Sequence, residues 1–408
     1  MINSNMHVVM MTAGYKPAYK IGGPIQSVSA VAERLVKMGH RVSVLCTTNN
    51  MDEDLLVSTG QATDVDGVSV YYCSYSKTGL CRGIPSLLHS KQMKAVAEEL
   101  CPTADVLHSQ MPFIYPTRLA DSMARRFGVP LVYHQRGVFS PERLRHGFIK
   151  KRMYRVFVED AIARRADAIV ALTQSEASWY KAIGCRQRPW VIPNGIDITA
   201  SQLADDTSPA RGEFNNYLLF LSRIHRIKGP SLLADSFSII AKEYPDLHLV
   251  YAGPDEDGLT AQILKQHAAL RDRIHFIGVV SGGDKARLLK RAKAFCLPSE
   301  GEGFSMAILE ALQAGCPVVI TPQCYFDEVQ SAGLGVIANR TAIAFADGIR
   351  CALRMPRLNS VAIWRDFISR YSWDCIAQQT LDMYQALLSR RRGNEPRVTP
   401  AFDIKSAG

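Results

Sequence analysis

The sequence predicts an α/β protein made of two doubly wound, Rossmann-like domains, each with a parallel sheet. Three observations lead to this prediction. The chain has 408 residues, more than a single hydrophobic core usually serves. Short apolar runs alternate with segments of helical period, a pattern typical of βαβ units. The alternation occurs twice, before and after a polar stretch at residues 199–216.

The composition is that of a soluble globular protein, with 47% hydrophobic and 21% charged residues. The net charge of +10 favours anionic partners, namely nucleotides, phosphates or an anionic membrane surface, and does not indicate nucleic acid. Ten cysteines without a CxxC pair argue against a zinc site or a disulfide framework and favour reduced thiols. We find neither a signal peptide nor an apolar run of about 18 residues, so we expect a cytoplasmic protein.

The first domain begins with a strand, a glycine-containing loop and a helix. Residues 7–12 are apolar, Gly22 and Gly23 follow, and residues 24–38 have helical period. The next strand is predicted at 41–47, which completes a βαβ start with a loop that can face a ligand. The loop lacks the GxGxxG fingerprint, so a hydride-transfer enzyme gains little support.

Two histidines end predicted buried strands in the rest of this domain. In open parallel sheets, ligands gather at the carboxyl ends of strands, where His108 and His134 would lie. A single histidine is also often a structural residue, and the residues alone leave both interpretations open. The remaining elements follow in chain order: strands at Val68–Cys73, Val106–His108, Leu131–His134 and Asp167–Thr173, and helices at Ser86–Leu100, Ile114–Phe127 and Ser175–Ile183.

A basic stretch covers residues 141–165. It carries eight Lys or Arg against three acids, and apolar residues such as Met153 and Phe157 are interleaved with them. This pattern is typical either of a solvated helix face or of a surface that rests on anionic lipid. We therefore predict a peripheral contact between this stretch and an anionic membrane surface.

The second half repeats the α/β alternation. We predict domains at 1–198 and 217–370, a linker at 199–216, a terminal helix at 371–390 and a disordered tail at 391–408. In the second domain, strands are predicted at Tyr217–Ser222, His248–Tyr251, His275–Ile277, Ala294–Leu297 and Pro317–Ile320, and helices at Ser231–Glu243, Leu259–Ala269 and Lys285–Arg291.

The most informative stretch is PSEGEGFSMAILEALQAGCPVV, from Pro298 to Val319. Glycines flank the acidic residues and a helix then begins, so its free N–H groups and dipole suit a phosphate. Carboxylates beside a phosphate need neutral partners such as sugar and ribose hydroxyls. Together these features describe a nucleotide sugar, although each residue alone also fits a turn or a solvated helix face.

A second group follows the first strand of the second half. In the loop after Leu221, Arg223 and Lys228 are five residues apart and can converge on one diphosphate. Arginine supplies a planar fork and lysine a compact charge. Without the context of the strand end, both would be taken as surface charges.

These residues resemble the signature of the family 4 glycosyltransferases, which are retaining enzymes of the GT-B fold. Glu302 and Glu310, separated by seven residues, occupy the two acidic positions of that signature, and Arg223 and Lys228 occupy its basic positions. IPNGID at 192–197 is similar to the hinge of the same family. The resemblance implies two domains that face each other across a cleft, with the terminal helix crossing back onto the first domain.

The resemblance also implies roles for residues. Arg223 and Lys228 would stabilise the diphosphate, and Glu302 would bind the transferred sugar. His134 would lie beside that sugar. The donor-binding residues implied are Gly23, Arg223, Lys228, Glu302, Gly303, Phe304, Ser305 and Glu310, with ribose on Glu310.

The implied function is transfer of a hexose from UDP- or GDP-sugar to a lipid-linked or polysaccharide acceptor, in the assembly of surface glycans such as lipopolysaccharide. No Asp-x-Asp motif lies in a suitable loop, so neither a metal nor a cofactor beyond the nucleotide sugar is expected. Two alternatives remain: a sugar-nucleotide epimerase of the same fold, and a non-catalytic protein that binds nucleotide sugars.

Overall fold

The computed structural model describes residues 5–77, 87–137, 153–198 and 214–393. Its packing divides the chain into two compact units, Met1–Gly195 with Trp373–Gly408, and Ile196–Ser372. Parts of three predicted segments lie outside the described residues: 199–213 of the linker, 394–408 of the tail and 141–152 of the basic stretch.

The first unit is built on a sheet that is parallel except at one edge. Its strand order is β10-β9-β8-β7-β1-β2-β6-β5, with only the β5–β6 pair antiparallel, while β3 and β4 form a separate ribbon. The chain adds strands first on one side of β1 and then on the other. The strands are β1 (His7–Met11), β2 (Arg41–Thr47), β3 (Asn49–Asn50), β4 (Glu53–Asp54), β5 (Ala62–Val65), β6 (Val68–Cys73), β7 (Val106–Ser109), β8 (Leu131–His134), β9 (Ala168–Ala171) and β10 (Trp190–Val191), and the helices between them are α1 (Gly23–Lys37), α2 (Lys91–Leu100), α3 (Tyr115–Phe127), α4 (Asp160–Arg165) and α5 (Gln174–Ala182).

The reversal of strand order in this sheet lies between β1 and β7. All five side chains of β1 are buried, as is typical of a central parallel strand covered by helices on both faces. Val9 and Met11, which share one face of the strand, join a core with Met93 of α2 and Leu119 of α3. The loops after β1 and β7 therefore start at the edge where open α/β sheets bind ligands.

The second unit has a six-stranded sheet that is parallel throughout, with the order β13-β12-β11-β14-β15-β16. This is the Rossmann order, with its reversal between β11 and β14. The strands are β11 (Tyr217–Leu221), β12 (His248–Ala252), β13 (Ile274–Phe276), β14 (Ala294–Leu297), β15 (Val318–Ile320) and β16 (Gly335–Ile337), and the helices are α6 (Pro230–Ile240), α7 (Leu259–Gln266), α8 (Gly282–Arg291), α9 (Met306–Gln313), α10 (Glu328–Ser331), α11 (Ala342–Leu353) and α12 (Ala362–Ser369).

The last helix, α13 (Trp373–Arg391), packs in the first unit, although it follows the second unit in the chain. Trp373, Ile376 and Tyr384 are buried there. The Tyr384 hydroxyl lies 2.6 Å from Nδ1 of His108. The first unit is thus closed by residues from both ends of the sequence.

Several predicted elements differ from those observed. The helix predicted at Ser86–Leu100 begins only at Lys91, because Leu87 and Leu88 have positive φ angles and Ser90 caps the N–H of Met93 at 2.9 Å. In the described part of the basic stretch, a π-helical turn at Arg155–Glu159 precedes α4 instead of one regular helix. The strands β3, β4, β5, β10 and β16 and the helices α10, α11 and α12 were not predicted from the sequence.

In the described ranges, no helix combines the length and the apolar character that a bilayer span requires.

Candidate active site

Two loops of the second unit meet at the reversal of its sheet. One follows β11 and the other follows β14, and these strands are neighbours, so both loops leave the same edge. The backbone N–H of Glu300 donates to the carbonyl of Ile227 at 2.7 Å, and the Ser299 hydroxyl donates to the same carbonyl at 3.1 Å. These bonds fix the acidic loop against the basic loop.

Lys228 and Glu302 form an ion pair where these loops meet. Lys228 Nζ lies 2.6 Å from Glu302 Oε1, and the side chains are only 12% and 5% exposed. The following Gly229 is required by geometry: its φ is +71°, and a Cβ there would come within 2.3 Å of the Pro298 carbonyl oxygen. The glycine that follows Lys228 therefore lets this loop approach the acidic loop closely.

Arg223 lies in the same loop but has a different partner. Its Nη1 is 2.8 Å from Glu256 Oε2, and both side chains are well exposed. Glu256 belongs to the loop after β12. The N–H of Ile224 donates to the Pro254 carbonyl at 2.8 Å and so joins the loop after β11 to the loop after β12. The two predicted diphosphate ligands are thus each paired with a carboxylate, one exposed and one buried.

Helix α9 begins at the end of the acidic loop with Ser305 as its N-cap. No side chain caps this helix, and its first turn contains no acidic residue. Its first N–H groups can therefore serve as donors to an anion. Glu310, one turn further on, pairs with Lys285 of α8 at 2.7 Å.

Phe304 and Gly303 complete this loop. The Phe304 ring lies 5.3 Å from that of Phe326 and packs on the core of the second unit, so its first role is packing. Gly303 is buried beside it. The second unit brings Lys228, Glu302, Gly303 and Ser305 together at one strand edge.

In the first unit, His134 ends β8 as predicted. It is 5% exposed, its ring stacks on that of His108 at 5.7 Å, and its Nε2 has no hydrogen-bond partner among the described residues. Burial, with smaller contributions from Arg136 and His108, holds the pKa of His134 well below the usual histidine range. Burial likewise lowers the pKa of His108 to about 3. Both imidazoles are neutral at physiological pH.

Arg136, two residues beyond His134, was missed by the sequence analysis as a site residue. Its guanidinium donates to Gln110 Oε1 at 3.1 Å, to Ser27 Oγ at 2.6 Å and to Asn194 Oδ1 at 3.3 Å. These acceptors are all neutral, and burial lowers the pKa of Arg136 to about 10. The arginine joins the segments that follow β1, β7, β8 and β10, and the residues directly after Gly137 lie outside the described residues.

Gly23 is the first residue of α1 rather than a loop residue. A Cβ at this position would meet no atom within 4 Å, whereas Gly22 has a φ of +95°. The backbone conformation that requires a glycine is therefore that of Gly22, not that of Gly23. Lys285 and Glu256 were also missed by the sequence analysis, because nothing in their local sequence indicates that they pair with site residues.

Among the described residues, no group of three or more His, Cys, Asp or Glu side chains is arranged as metal ligands. The expectation that no metal takes part stays a prediction.

Two family profiles match the chain in succession. Residues 21–200 match "Glycosyltransferase Family 4", and residues 204–365 match "Glycosyl transferases group 1". The first match covers the chain from α1 to β10, and the second covers both site loops of the other half.

Curated relatives include phosphatidyl-myo-inositol mannosyltransferases. The protein of that name from Mycobacterium tuberculosis (strain CDC 1551 / Oshkosh) is 30% identical over 208 residues, which are 48% of this chain and 53% of the relative. The chain therefore spans about half the length of this relative. The one from Mycolicibacterium smegmatis is 26% identical over 395 residues, 91% of this chain and 92% of the relative.

Among solved structures, Anabaena HepE in complex with UDP superposes with a TM-score of 0.68 at 18% identity, covering 93% of this chain and all of that one. At this identity the likeness concerns the fold. The two profile matches, which together cover most of the chain, show that it belongs to the family 4 glycosyltransferases, and the superposition shows that it has the GT-B fold.

Proposed function

We propose that the protein is a retaining glycosyltransferase that transfers a hexose from a UDP- or GDP-sugar to a lipid-linked or polysaccharide acceptor in surface-glycan assembly. The observation that carries this proposal is the Lys228–Glu302 pair next to the uncapped start of α9. A buried cation, a hydroxyl-binding carboxylate and free N–H groups are what a sugar diphosphate needs at one place.

The donor would bind with its diphosphate on Lys228, Arg223 and the first turn of α9. Negative charge grows on the diphosphate as the sugar leaves, and fixed cations and N–H dipoles stabilise that charge. When Lys228 turns to the phosphate, Glu302 becomes available to hydroxyls of the sugar. Glu310 would hold the ribose hydroxyls, with Lys285 keeping its carboxylate in position.

His134 would contact the transferred sugar. Its neutral ring and its unpartnered Nε2 allow one hydrogen bond to a hydroxyl without adding charge beside an oxocarbenium-like transition state. Transfer on the same face of the sugar would retain its configuration. This chemistry needs no nucleophilic carboxylate and no metal.

The names of similar proteins support the classes of donor and acceptor. Phosphatidyl-myo-inositol mannosyltransferase names a hexose and a lipid acceptor, and HepE has been solved with UDP-glucose. A third similar structure is described as WaaG, a glycosyltransferase involved in lipopolysaccharide biosynthesis. We also propose that the basic stretch at 141–165 brings the protein to the anionic inner face of the cell membrane.

Substitution of Arg223 tests this function. Arg223→Ala should lower sugar transfer by about 10²–10³-fold, the scale of a removed electrostatic donor. Its exposed pair with Glu256 contributes at most about 1 kcal/mol, so thermal unfolding should stay near that of the wild type.

The matched control is Arg226→Ala in the same loop, where the removed side chain is 80% exposed. It should transfer sugar normally. Products are followed by mass spectrometry with a panel of nucleotide sugars and lipid-linked acceptors. Full turnover by Arg223→Ala at saturating donor would refute the diphosphate assignment. Formation of the epimeric sugar without any glycosylated product would indicate an epimerase.

A further inference from the structure

A cavity of about 490 Å³ lies on the helical face of the first unit that carries α2, α3 and α4. None of the predicted site residues lines it. Its wall follows α3 from Tyr115 in the first turn to Arg125 near the end, a length of about 15 Å. The volume lies within the range of sites for small molecules or lipid headgroups.

The wall of this cavity is strongly basic. Four cations line it, Lys94, Arg118, Arg125 and Arg165, against the single carboxylate of Asp121. Asp121 is buried and accepts from Arg125 at 3.1 Å and from Arg165 at 3.0 Å, so one carboxylate serves two arginines. Within the described residues, Lys94 and Arg118 form no ion pair with a carboxylate, although Arg118 is close enough to Tyr154 and Glu159 to oppose the rise in pKa that burial causes in each. An anion with several oxygens, such as a phosphate, complements this wall.

The rim of the cavity is apolar and exposed. Phe157 lines the cavity and is 73% exposed, and its neighbours Met153 and Val156 are 53% and 40% exposed. Single exposed apolar residues are ordinary, but three within five residues mark a contact surface. A free phosphate would engage the cations and leave these side chains in water. An anionic lipid engages both, with its phosphate on the arginines and Phe157 in the boundary with the acyl chains.

We propose that this cavity binds the phosphate headgroup of an anionic membrane lipid and so fixes the orientation of the first unit on the bilayer. The proposal rests on the membrane association suggested above and gives it a discrete site, which the donor loops of the second unit do not share.

The test uses the full chain and two kinds of vesicle, phosphatidylcholine alone and phosphatidylcholine mixed with phosphatidylglycerol. The wild type should co-sediment with the mixed vesicles and not with the neutral ones. Lys94→Gln with Arg118→Gln should lower the partition coefficient about 30-fold, from the contribution of two basic residues at an anionic surface. Phe157→Ser, which keeps every cation, should also weaken binding.

The control is Lys37→Gln with Lys181→Gln, which removes the same charge from exposed positions on α1 and α5. It should bind mixed vesicles nearly as the wild type does. Equal losses in the two double variants would overturn the proposal, because attraction would then follow net charge alone. So would tight binding of soluble glycerol phosphate, which would identify a free phosphate ester as the ligand. Calorimetry with UDP and GDP should be the same in all variants, so failure of the proposed donor site is recognised separately.

Discussion

At the scale of single residues, Lys228 has two roles, one in binding and one in stability, and a single substitution removes both. It is the predicted ligand of the diphosphate, and it also compensates the buried carboxylate of Glu302 at 2.6 Å. Arg223 differs, because its partner Glu256 is exposed and remains solvated without it. Two cations of one motif thus have different costs of removal, which only the folded environment reveals.

Lys228→Ala should therefore lose both transfer and stability. Leaving Glu302 buried without its cation should cost about 3 kcal/mol in the free energy of unfolding, the scale for a broken buried pair. Thermal unfolding and a transfer assay on the same sample measure the two losses. The double variant Lys228→Met with Glu302→Gln should regain most of the stability and none of the transfer. An unchanged melting temperature for Lys228→Ala would contradict the buried pair.

The residues predicted from the sequence are those whose motif lies within one loop. Lys228 and the acidic stretch at 300–310 could be recognised from local spacing, and the fold brings them together because β11 and β14 are neighbours. Arg136 could not be recognised in this way. Its partners Gln110, Ser27 and Asn194 lie 26, 109 and 58 residues away, and only the topology of the sheet places them around it.

At the scale of elements, the π-helical turn at Arg155–Glu159 ends on a buried acid. Glu159 accepts from the N–H of Phe113 at 2.8 Å and from the Tyr133 hydroxyl at 2.7 Å, so it holds the loop before α3 against β8. Burial, the largest contribution, raises its pKa to about 7 although both hydrogen bonds act the other way. The carboxyl is therefore protonated in the folded protein at mildly acid pH.

This pKa predicts how stability depends on pH. The folded value lies above the ordinary glutamate value of 4.5, so the stabilisation is complete below pH 4.5 and is lost as the pH rises through 7. The loss amounts to about 3 kcal/mol. His108, with a lowered pKa, has the opposite dependence and destabilises the fold as the pH falls below about 6.5. Together, the two effects place the pH of greatest stability between about 4.5 and about 6.5.

Glu159→Gln isolates the first effect, because it keeps the hydrogen-bonding shape and cannot ionise. The wild type should lose more stability than the variant between pH 5.5 and pH 8, as measured by melting temperature. The histidine contribution is present in both proteins and cancels in the difference. Parallel pH profiles would show that Glu159 is already ionised in the folded protein at pH 5.5.

Elements were predicted well where the period of the apolar residues agrees with the residues that begin and end the element, as in β11 or α3. The start of α2 failed because the positive φ angles of Leu87 and Leu88 have no sequence signal. Helix α11 was not predicted, and Gly348 in its middle is unfavourable to a helix in sequence terms. The structure gives this glycine a packing role. A Cβ there would lie 3.0 Å from Ala338 and from Val319, so the glycine lets the helix sit close to the sheet.

At the scale of the whole molecule, the order of the chain and the order of packing disagree. Helix α13 comes last in the sequence but belongs to the first unit. Its large buried apolar side chains are Trp373, Ile376, Leu381, Met383, Tyr384, Leu387 and Leu388. At about 1.5–3 kcal/mol for each large apolar side chain, they contribute on the order of 10 kcal/mol, which is comparable with the net stability of an entire domain.

A chain ending at Ser372 should therefore lose the first unit and keep the second. Removal of α13 uncovers the face of α1 on which it packs and takes away the Tyr384 hydroxyl from His108. The core of the second unit contains no residue of α13, so Lys228, Glu302 and α9 should remain in place. Hydrogen exchange should rise throughout β1 to β9 while calorimetry still detects the nucleoside diphosphate. A chain ending at Gly393 should protect both units, and protected amides in β1 of the shorter chain would show that the first unit folds without its last helix.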